Sequence, residues 1–368
     1  MADTITAKFA MPDRIHNLGQ QIMGNCHRSD ARFAGSFSLC GLLLRLRDYY
    51  RWEHGMAPWE EFDNTAILNW IEKREELWET RLEDELSPLC WNGDEIDPFD
   101  ARTVNRHLEG YHYSAGYAAF LKPSFVLAKI DRQEQHGSFT IIYLGEELAR
   151  DLFTSPAQTR ETVIVARRRP LAAYLWDMIL HGPPSRRQAL DQGLIRYGLG
   201  CGRHNPRDRN WIAGFESLLN IEMESHVRHE LGEATDLVFP RKDWQTIIGR
   251  FPQTRIELMA RSLKDLLGDT GPQGRLKFIV DQRRMASLDI YVAEMEGLRA
   301  LIFPELDEAY HRFLKDPNWD IIESVRETAY IKVTRMARFV VGLMQGSGHT
   351  PEHFTEQIET HLYQPLGL

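Results

Sequence analysis

The chain has 368 residues, of which 43% are hydrophobic and 10% aromatic, enough to bury the core of one large domain or of two ordinary ones. Its 44 basic and 53 acidic residues give a formal charge of −9, which opposes long-range attraction to nucleic acid and to an anionic membrane, so neither partner is expected. We see no signal peptide, no membrane-length apolar segment and no CxxC pair among the four cysteines, which predicts a cytoplasmic protein with reduced thiols.

Helical patterns dominate the first eighty residues. Ser29 or Asp30 can cap a first helix. The apolar stripe of this helix would contain Phe33, Phe37, Cys40 and Leu44. Cys40 is therefore predicted to be a small core residue. A second helix is predicted after Asn64, where apolar residues at helical spacing interrupt a charged segment that is typical of a solvated face.

A β-element is predicted in the middle of the chain. Two β-rich runs, 124–131 and 138–144, flank a polar turn and predict a hairpin. The segment "ETVIVARRR" predicts a third strand that ends in a basic triplet, 167–169, which we expect to be an exposed turn. The fold class is accordingly mainly α, multi-helical, with a small β-hairpin or three-stranded element around 123–166.

The segment "HGPPSRR" at 181–187 combines Gly-Pro-Pro with basic residues and is the best linker candidate, which predicts domains over 1–184 and 185–368. Helices are predicted beyond it, separated by Gly, Pro and Asp residues. Their ranges are 186–197, 209–232, 242–250, 254–268, 283–300, 304–315, 318–345 and 351–362. A short strand is the alternative for "RLKFIVD".

The helix over 209–232 carries many potential metal ligands in "NIEMESHVRHELGEATD". Four of them fall within about 60° of one another on a helix: Glu222, His226, His229 and Glu233. A divalent metal ion, as zinc, iron or manganese, would satisfy imidazole and carboxylate groups together. We therefore predict a metal-binding protein, or a metal-dependent enzyme of unknown substrate. The predicted ligands are Glu222, His226 and His229, with Glu230 as general base or fourth ligand.

Other interpretations of these residues stay open. If the opposite face, with Ile221, Val227 and Leu231, is the buried one, the stripe is a solvated face of a non-catalytic interaction or scaffold protein. "HELGE" is similar to the zinc-peptidase pattern HExxH, but Glu233 occupies the second histidine position. The Glu-x-x-His pairs "EGYH" and "EAYH" would allow a di-iron site, which needs two such pairs on helices. Gly110 in the first pair is a poor residue for a helix interior.

The segment "YGLGCGRHNPRDRNW" at 197–211 precedes the same helix and is rich in glycine and basic residues. A helix N-terminus attracts anions, and Arg203, His204 and Arg207 would supply positive charge there. This pattern makes a small-molecule or anion-binding protein that uses the loop 198–209 an alternative function, although such a segment is more typical of a flexible solvated loop. The spacing of its glycines is not that of a dinucleotide-binding fingerprint.

Three segments together resemble an uncharacterised family of bacterial proteins of similar length. They are "NCHRSDARFAGSFSLCGLLLRLRDYY", "NWIAGFESLLNIEMESHVRHELGEA" and "KDLLGDT". The resemblance covers most of the chain and implies a bacterial protein. It implies no activity and no cofactor, so the functional hypotheses above rest on the residues themselves.

Overall fold

A computed structural model describes residues 3–118, 121–153, 155–200, 208–346 and 350–368. The chain divides into two compact units, Met1–Trp176 and Asp177–Leu368. Helices make up most of the described elements, which confirms a mainly α fold, but the β-part is larger than the predicted one. Among the helices in the described ranges, none has the length and apolar character that a membrane crossing requires.

The N-terminal unit combines helices with a curled sheet. Its helices are α1 (Asp3–Phe33), α2 (Leu39–Glu53), α3 (Asn64–Glu79), α4 (Ala101–Asn105) and α5 (Arg168–His181), the last of which continues past Trp176. Its strands are β1 (Leu89–Trp91), β2 (Asp94–Ile96), β3 (Tyr111–Tyr117), β4 (Pro123–His136), β5 (Phe139–Arg150), β6 (Ala157–Arg160) and β7 (Val163–Arg167). Strands β1 and β2 form a separate two-stranded sheet.

The main sheet has the strand order β3-β4-β5-β7-β6 and is antiparallel except for the β5–β7 pair, which is parallel. The predicted hairpin and third strand correspond to β4, β5 and β7, whereas β3 and β6 were missed at the two edges. The sheet curls far enough to bring its two edges together, since Arg160 on β6 donates from Nη1 to the carbonyl oxygen of Tyr117 on β3 at 3.0 Å. Gly116 permits this approach, since a Cβ there would lie 2.6 Å from Cζ of Arg160.

Helix α1 packs along this sheet and supplies one side of the N-terminal core. Its buried residues recur at helical spacing, at Ile15, Leu18, Ile22 and Cys26. They lie in one apolar cluster with buried residues of β3 and β4, including Tyr113 and Phe125. The cluster therefore joins the first helix to the middle of the sheet.

Two predictions about the first helices are wrong. Ser29 and Asp30 do not cap a helix but lie inside α1, where both are buried. The cap of α2 is Ser38, whose side chain accepts a hydrogen bond from the backbone N–H of Gly41. Because the chain leaves the helical path between Phe33 and Ser38, the predicted stripe does not continue, and Cys40 is exposed at the start of α2.

A half-buried histidine of α1, His27, faces an arginine of α3. Nη1 of Arg74 lies 3.2 Å from Nδ1 and 3.1 Å from Nε2 of the imidazole, and the same guanidinium is hydrogen-bonded to Glu53. Burial lowers the pKa of His27 and the Arg74 charge lowers it further, to about 3. An arginine can only donate, so the ring nitrogen that it contacts has to be unprotonated.

We expect His27 to make the folded protein sensitive to acid. Below its ordinary pKa of 6.5 the unfolded chain binds a proton at this residue, whereas the folded chain does so only near pH 3. The free energy of unfolding should therefore fall as the pH falls below 6.5, by up to about 1.4 kcal/mol per pH unit from this group. Urea unfolding at pH 7, 6 and 5 should show a shallower fall for His27→Gln than for the wild type.

The matched control for His27→Gln is His16→Gln, because His16 is exposed on the same helix. If wild type and His27→Gln lose stability equally between pH 7 and pH 5, the assignment of this acid sensitivity to His27 is wrong.

The C-terminal unit is helical throughout its described part. Its helices are α6 (Arg187–Arg196), α7 (Arg209–Thr235), α8 (Arg241–Arg250), α9 (Arg255–Thr270), α10 (Arg275–Asp281), α11 (Met285–Ala293), α12 (Gly297–Ile302), α13 (Glu305–Lys315), α14 (Trp319–Gln345) and α15 (Pro351–Ile358). "RLKFIVD" is helix α10 and not a strand. The helix predicted over 283–300 is interrupted after Ala293, and Gly297 has a φ of 56° where the chain resumes as α12.

Candidate functional site

Helices α7 and α9 approach each other closely at a pair of glycines. A Cβ on Gly232 would lie 1.9 Å from the carbonyl oxygen of Gly268, and a Cβ on Gly268 would lie 2.6 Å from Cγ of Glu233. Only residues without a side chain allow backbones to come this near. The side chains one turn away, including His229 on α7, are thereby brought against the acidic face of α9.

His229 is held between two carboxylates. Its Nδ1 lies 2.8 Å from Oδ1 of Asp269 on α9, and its Nε2 lies 3.4 Å from Oε1 of Glu233 on α7. Asp269 is completely buried, and its second oxygen accepts a hydrogen bond from the hydroxyl of Tyr291 at 3.3 Å. Asp269 therefore fixes the orientation of the imidazole and leaves Nε2 directed towards Glu233.

The electrostatics of the pair are reciprocal. Burial lowers the pKa of His229, but the Asp269 carboxylate and the charges of Asp265 and Glu230 together outweigh this effect, so that the pKa lies above its ordinary value. Burial raises the pKa of Asp269, and the His229 charge lowers it, with a net decrease. Each group therefore favours the charged form of the other.

His229, Glu233 and Asp265 form a group that is able to hold a metal ion. Each offers one potential ligand atom, and these atoms all lie within 4.8 Å of one another. Within the ranges that the structure describes, this is the one set of three or more His, Cys, Asp or Glu residues with such a spacing. Nζ of Lys264 contacts Oε2 of Glu233, so an ammonium group already balances one of the carboxylates.

Two of the three predicted ligands belong to a different cluster around Arg275. Glu222 is completely buried, accepts a hydrogen bond from the hydroxyl of Tyr197 at 2.7 Å and lies 3.4 Å from Nη2 of Arg275. Arg275 also binds Glu294. Nε2 of His226 is 3.6 Å from the other oxygen of Glu294. Glu222 and Glu294 thus share one positively charged partner, Arg275.

The structure therefore divides the predicted ligand set. Glu222 and His226 lie in the Arg275 cluster, whereas His229 lies with Glu233 and with an acid that sequence reasoning missed, Asp265. The sequence does contain a feature that points to Asp265. It lies four residues before Asp269, so the two acids share one face of an amphipathic helix. What the sequence does not contain is the packing of that face on α7.

Glu230, the predicted general base, is half-buried beside the group. Its charge raises the pKa of His229. Burial is the largest effect on Lys264 and lowers the pKa of that residue, whereas the charge of Glu230 raises it. The carboxylate is therefore electrostatically close to both. In the segment "HELGE", Glu233 occupies the position of the second histidine of HExxH, and its carboxylate contacts His229, the first histidine.

The other sequence hypotheses have less structural support. In the di-iron variant, "EGYH" is not helical, because His112 lies on strand β3. The predicted anion-binding residues, Arg203, His204 and Arg207, lie outside the described residues. At the start of α7, the carboxylate of Asp208 accepts a hydrogen bond from the N–H of Asn210 at 2.8 Å, so an acid of the chain itself caps this helix.

Comparison with known proteins gives a family match over most of the chain. The N-terminal domain of a family of unknown function, DUF6866, matches residues 17–167, and the C-terminal domain of the same family matches residues 172–364. No curated protein and no solved structure matches the chain.

Proposed function

We propose that the C-terminal unit binds one divalent metal ion through His229, Glu233 and Asp265. The chain belongs to the DUF6866 family, whose function is unknown, so the family match adds no activity to this proposal. The observation that carries this proposal is the convergence of one imidazole and two carboxylates within 4.8 Å. Metal binding is also the function that the sequence predicts for the His- and Glu-rich helix. The proposed ligands differ, because His229 is kept and Glu233 and Asp265 replace Glu222 and His226.

The chemistry of the group supports a transition metal. Zinc binds imidazole nitrogen and carboxylate oxygen at about 2.0–2.2 Å, so tetrahedral ligands are separated by roughly 3.4 Å. The distance from Nε2 of His229 to Oε1 of Glu233 is already 3.4 Å. Asp269 on the second ring nitrogen is the partner that a metal-bound histidine commonly has. Iron(II) and manganese(II) accept the same ligand types.

Three protein ligands leave a coordination position for water or substrate, which is the arrangement of a catalytic rather than a structural site. We therefore extend the proposal to a metal-dependent enzyme in which Glu230 acts as general base. Its support is the electrostatic effect of Glu230 on His229 and Lys264. The reaction and the substrate are not part of the proposal.

A non-catalytic scaffold is the competing function, and two contacts favour it. Lys264 already pairs with Glu233, and Asp269 already pairs with His229, so the group has internal partners for two of its charges. Under this alternative the same residues only stabilise the packing of α7 on α9. Metal binding distinguishes the two functions directly.

The test is a calorimetric titration of chelator-treated, tag-free protein with Zn²⁺. We expect one site per chain in the wild type. His229→Ala should weaken it at least about 100-fold, because removal of one of three ligands leaves an incomplete shell. His226→Ala is the matched control, since it removes an imidazole from the same helix one turn away, and it should keep wild-type affinity.

Two outcomes would contradict the proposal. Wild-type protein that binds neither Zn²⁺, Fe²⁺ nor Mn²⁺ would favour the scaffold. Equal losses in His226→Ala and His229→Ala would return the site to the larger ligand set. Glu230→Gln keeps the size of the side chain but removes its basicity, so it should retain the metal, and loss of the metal in this variant would make Glu230 a ligand instead of a base.

A further inference from the structure

Three arginines meet at the ends of β5 and β7 in the N-terminal unit. Arg150 is the last residue of β5, Arg167 is the last residue of β7, and Arg169 lies in the first turn of α5. We call them the arginine cluster. Arg150 and Arg167 are 0% and 2% exposed, and Arg169 is half-buried. The prediction of an exposed turn at 167–169 is therefore wrong, because Arg167 points inwards to the carboxylate of Glu147.

Two carboxylates face the arginine cluster. Glu147 accepts from Nε of Arg167 at 2.7 Å with one oxygen and lies 3.5 Å from Nη1 of Arg150 with the other. Asp48 accepts from Nη2 of Arg150 at 2.9 Å. The third guanidinium, of Arg169, forms no ion pair with a carboxylate in the part of the chain that is described. The two carboxylates thus pair with Arg150 and Arg167, whereas Arg169 has only the longer-range charges of Asp48, Glu147 and Glu60.

Three guanidinium nitrogens of the cluster also lack a hydrogen-bond acceptor. Nη1 of Arg150, Nη2 of Arg167 and Nε of Arg169 are shielded from water and have no hydrogen-bond partner among the residues described. Nη1 of Arg150 has at least an ion-pair partner, since it lies 3.5 Å from Oε2 of Glu147. The guanidinium of Arg169 is nevertheless held in place, since its Nη2 donates to the carbonyl oxygen of Met56 at 2.7 Å. A buried donor on a charged group is costly when it is left without an acceptor. An additional anion would supply acceptors for Nη2 of Arg167 and Nε of Arg169.

The pKa of Arg169 agrees with the lack of an ion pair at this guanidinium. Burial has the largest effect and lowers it, the charges of Asp48, Glu147 and Glu60 raise it, Arg150 lowers it, and the net change is a decrease. A bound anion would reverse that decrease, because a nearby negative charge stabilises the protonated guanidinium.

We propose that the arginine cluster binds a phosphate group, as inorganic phosphate or as a phosphate monoester. Guanidinium groups match phosphate oxygens with paired N–H donors, and they are weakly hydrated, so they retain this ability when buried. Helix α5 begins at Arg168, so its N-terminal N–H groups, except at Pro170, which has none, add positive electrostatic potential beside the cluster. Arg168 and Arg169 are both only half-buried, so the cluster is reached from solvent on their side.

The test is calorimetry on the full chain with two ligands, inorganic phosphate and phenyl phosphate, each titrated at constant ionic strength against chloride. We expect saturable binding of at least one of them. Arg169→Gln should weaken that binding at least 10-fold, and it removes a half-buried rather than a fully buried charge, so that the variant still folds. Arg102→Gln is the matched control, because Arg102 is an exposed arginine of α4 in the same unit.

The two arms also identify the source of the phosphate group. Binding of inorganic phosphate alone supports a site for the free ion, and tighter binding of phenyl phosphate supports a site for a monoester. Absence of saturation in both arms would overturn the proposal. Equal weakening by Arg169→Gln and Arg102→Gln would also overturn it, because the attraction would then come from the overall charge of the surface and not from the cluster.

Discussion

Replacing Arg275 with methionine should lower the free energy of unfolding by about 3–5 kcal/mol, because two buried carboxylates would lose their counter-charge. Arg275 binds both Glu222 and Glu294, and all three side chains are at most 4% exposed. Burial lowers the pKa of Arg275, but the two carboxylates raise it by more. Methionine has a similar volume and leaves little empty space, so the loss reports mainly on charge. Urea unfolding at pH 7 measures it.

The control for Arg275→Met is Arg255→Met. Arg255 also pairs with a glutamate, Glu359, at 3.1 Å, but its side chain is 52% exposed, so this substitution should cost no more than about 1 kcal/mol. A second variant tests the cause. Arg275→Met combined with Glu294→Gln removes one of the two uncompensated charges and should recover part of the stability. If Arg275→Met costs as little as Arg255→Met, Glu222 is not a partner of Arg275 and its role as a metal ligand has to be reconsidered.

The helices could be predicted because their pattern is local. In α9 and α14 the apolar residues recur every three or four positions, and this period is sufficient to place a buried face. The edge strands could not be predicted in the same way. Strand β6 has only four residues, "AQTR", without alternation of apolar and polar side chains. Its place in the sheet depends on pairing with β7 and on the contact of Arg160 with Tyr117.

The candidate site shows the same limit at the level of single residues. A helical projection correctly places Glu222, His226 and His229 on one side of α7, but it contains no information about what faces each of them. The partner of Glu222 is Arg275, 53 residues further along the chain, and the partner of His229 is Asp269, 40 residues further along. Both partners are brought in by other helices. Sequence reasoning therefore nominated the helix and could not separate the ligand candidate from the buried ion pair.

The packing of α7 on α9 is itself open to a mutational test at Gly232. Gly232→Ala should lower the free energy of unfolding by about 2–3 kcal/mol, since the new methyl group would overlap a backbone carbonyl that cannot rotate away. The affected atom is the oxygen of Gly268, 1.9 Å from the position of the added Cβ. Relief requires α7 and α9 to separate, and this moves His229 and Glu233 away from Asp265. The affinity for Zn²⁺ should therefore fall together with stability.

Gly342→Ala is the matched control for Gly232→Ala, because Gly342 lies in α14, is exposed and has no atom within 4 Å of an added Cβ. Alanine is the better helix former, so this control should be neutral or more stable by up to about 1 kcal/mol. Thermal unfolding and Zn²⁺ titration of both variants give the comparison. Lower stability with unchanged Zn²⁺ affinity in Gly232→Ala would mean that the close contact of the two helices supports the fold but does not assemble the metal ligands. Unchanged stability would contradict the close contact itself, since an added methyl group at that distance cannot be accommodated without movement of the backbone.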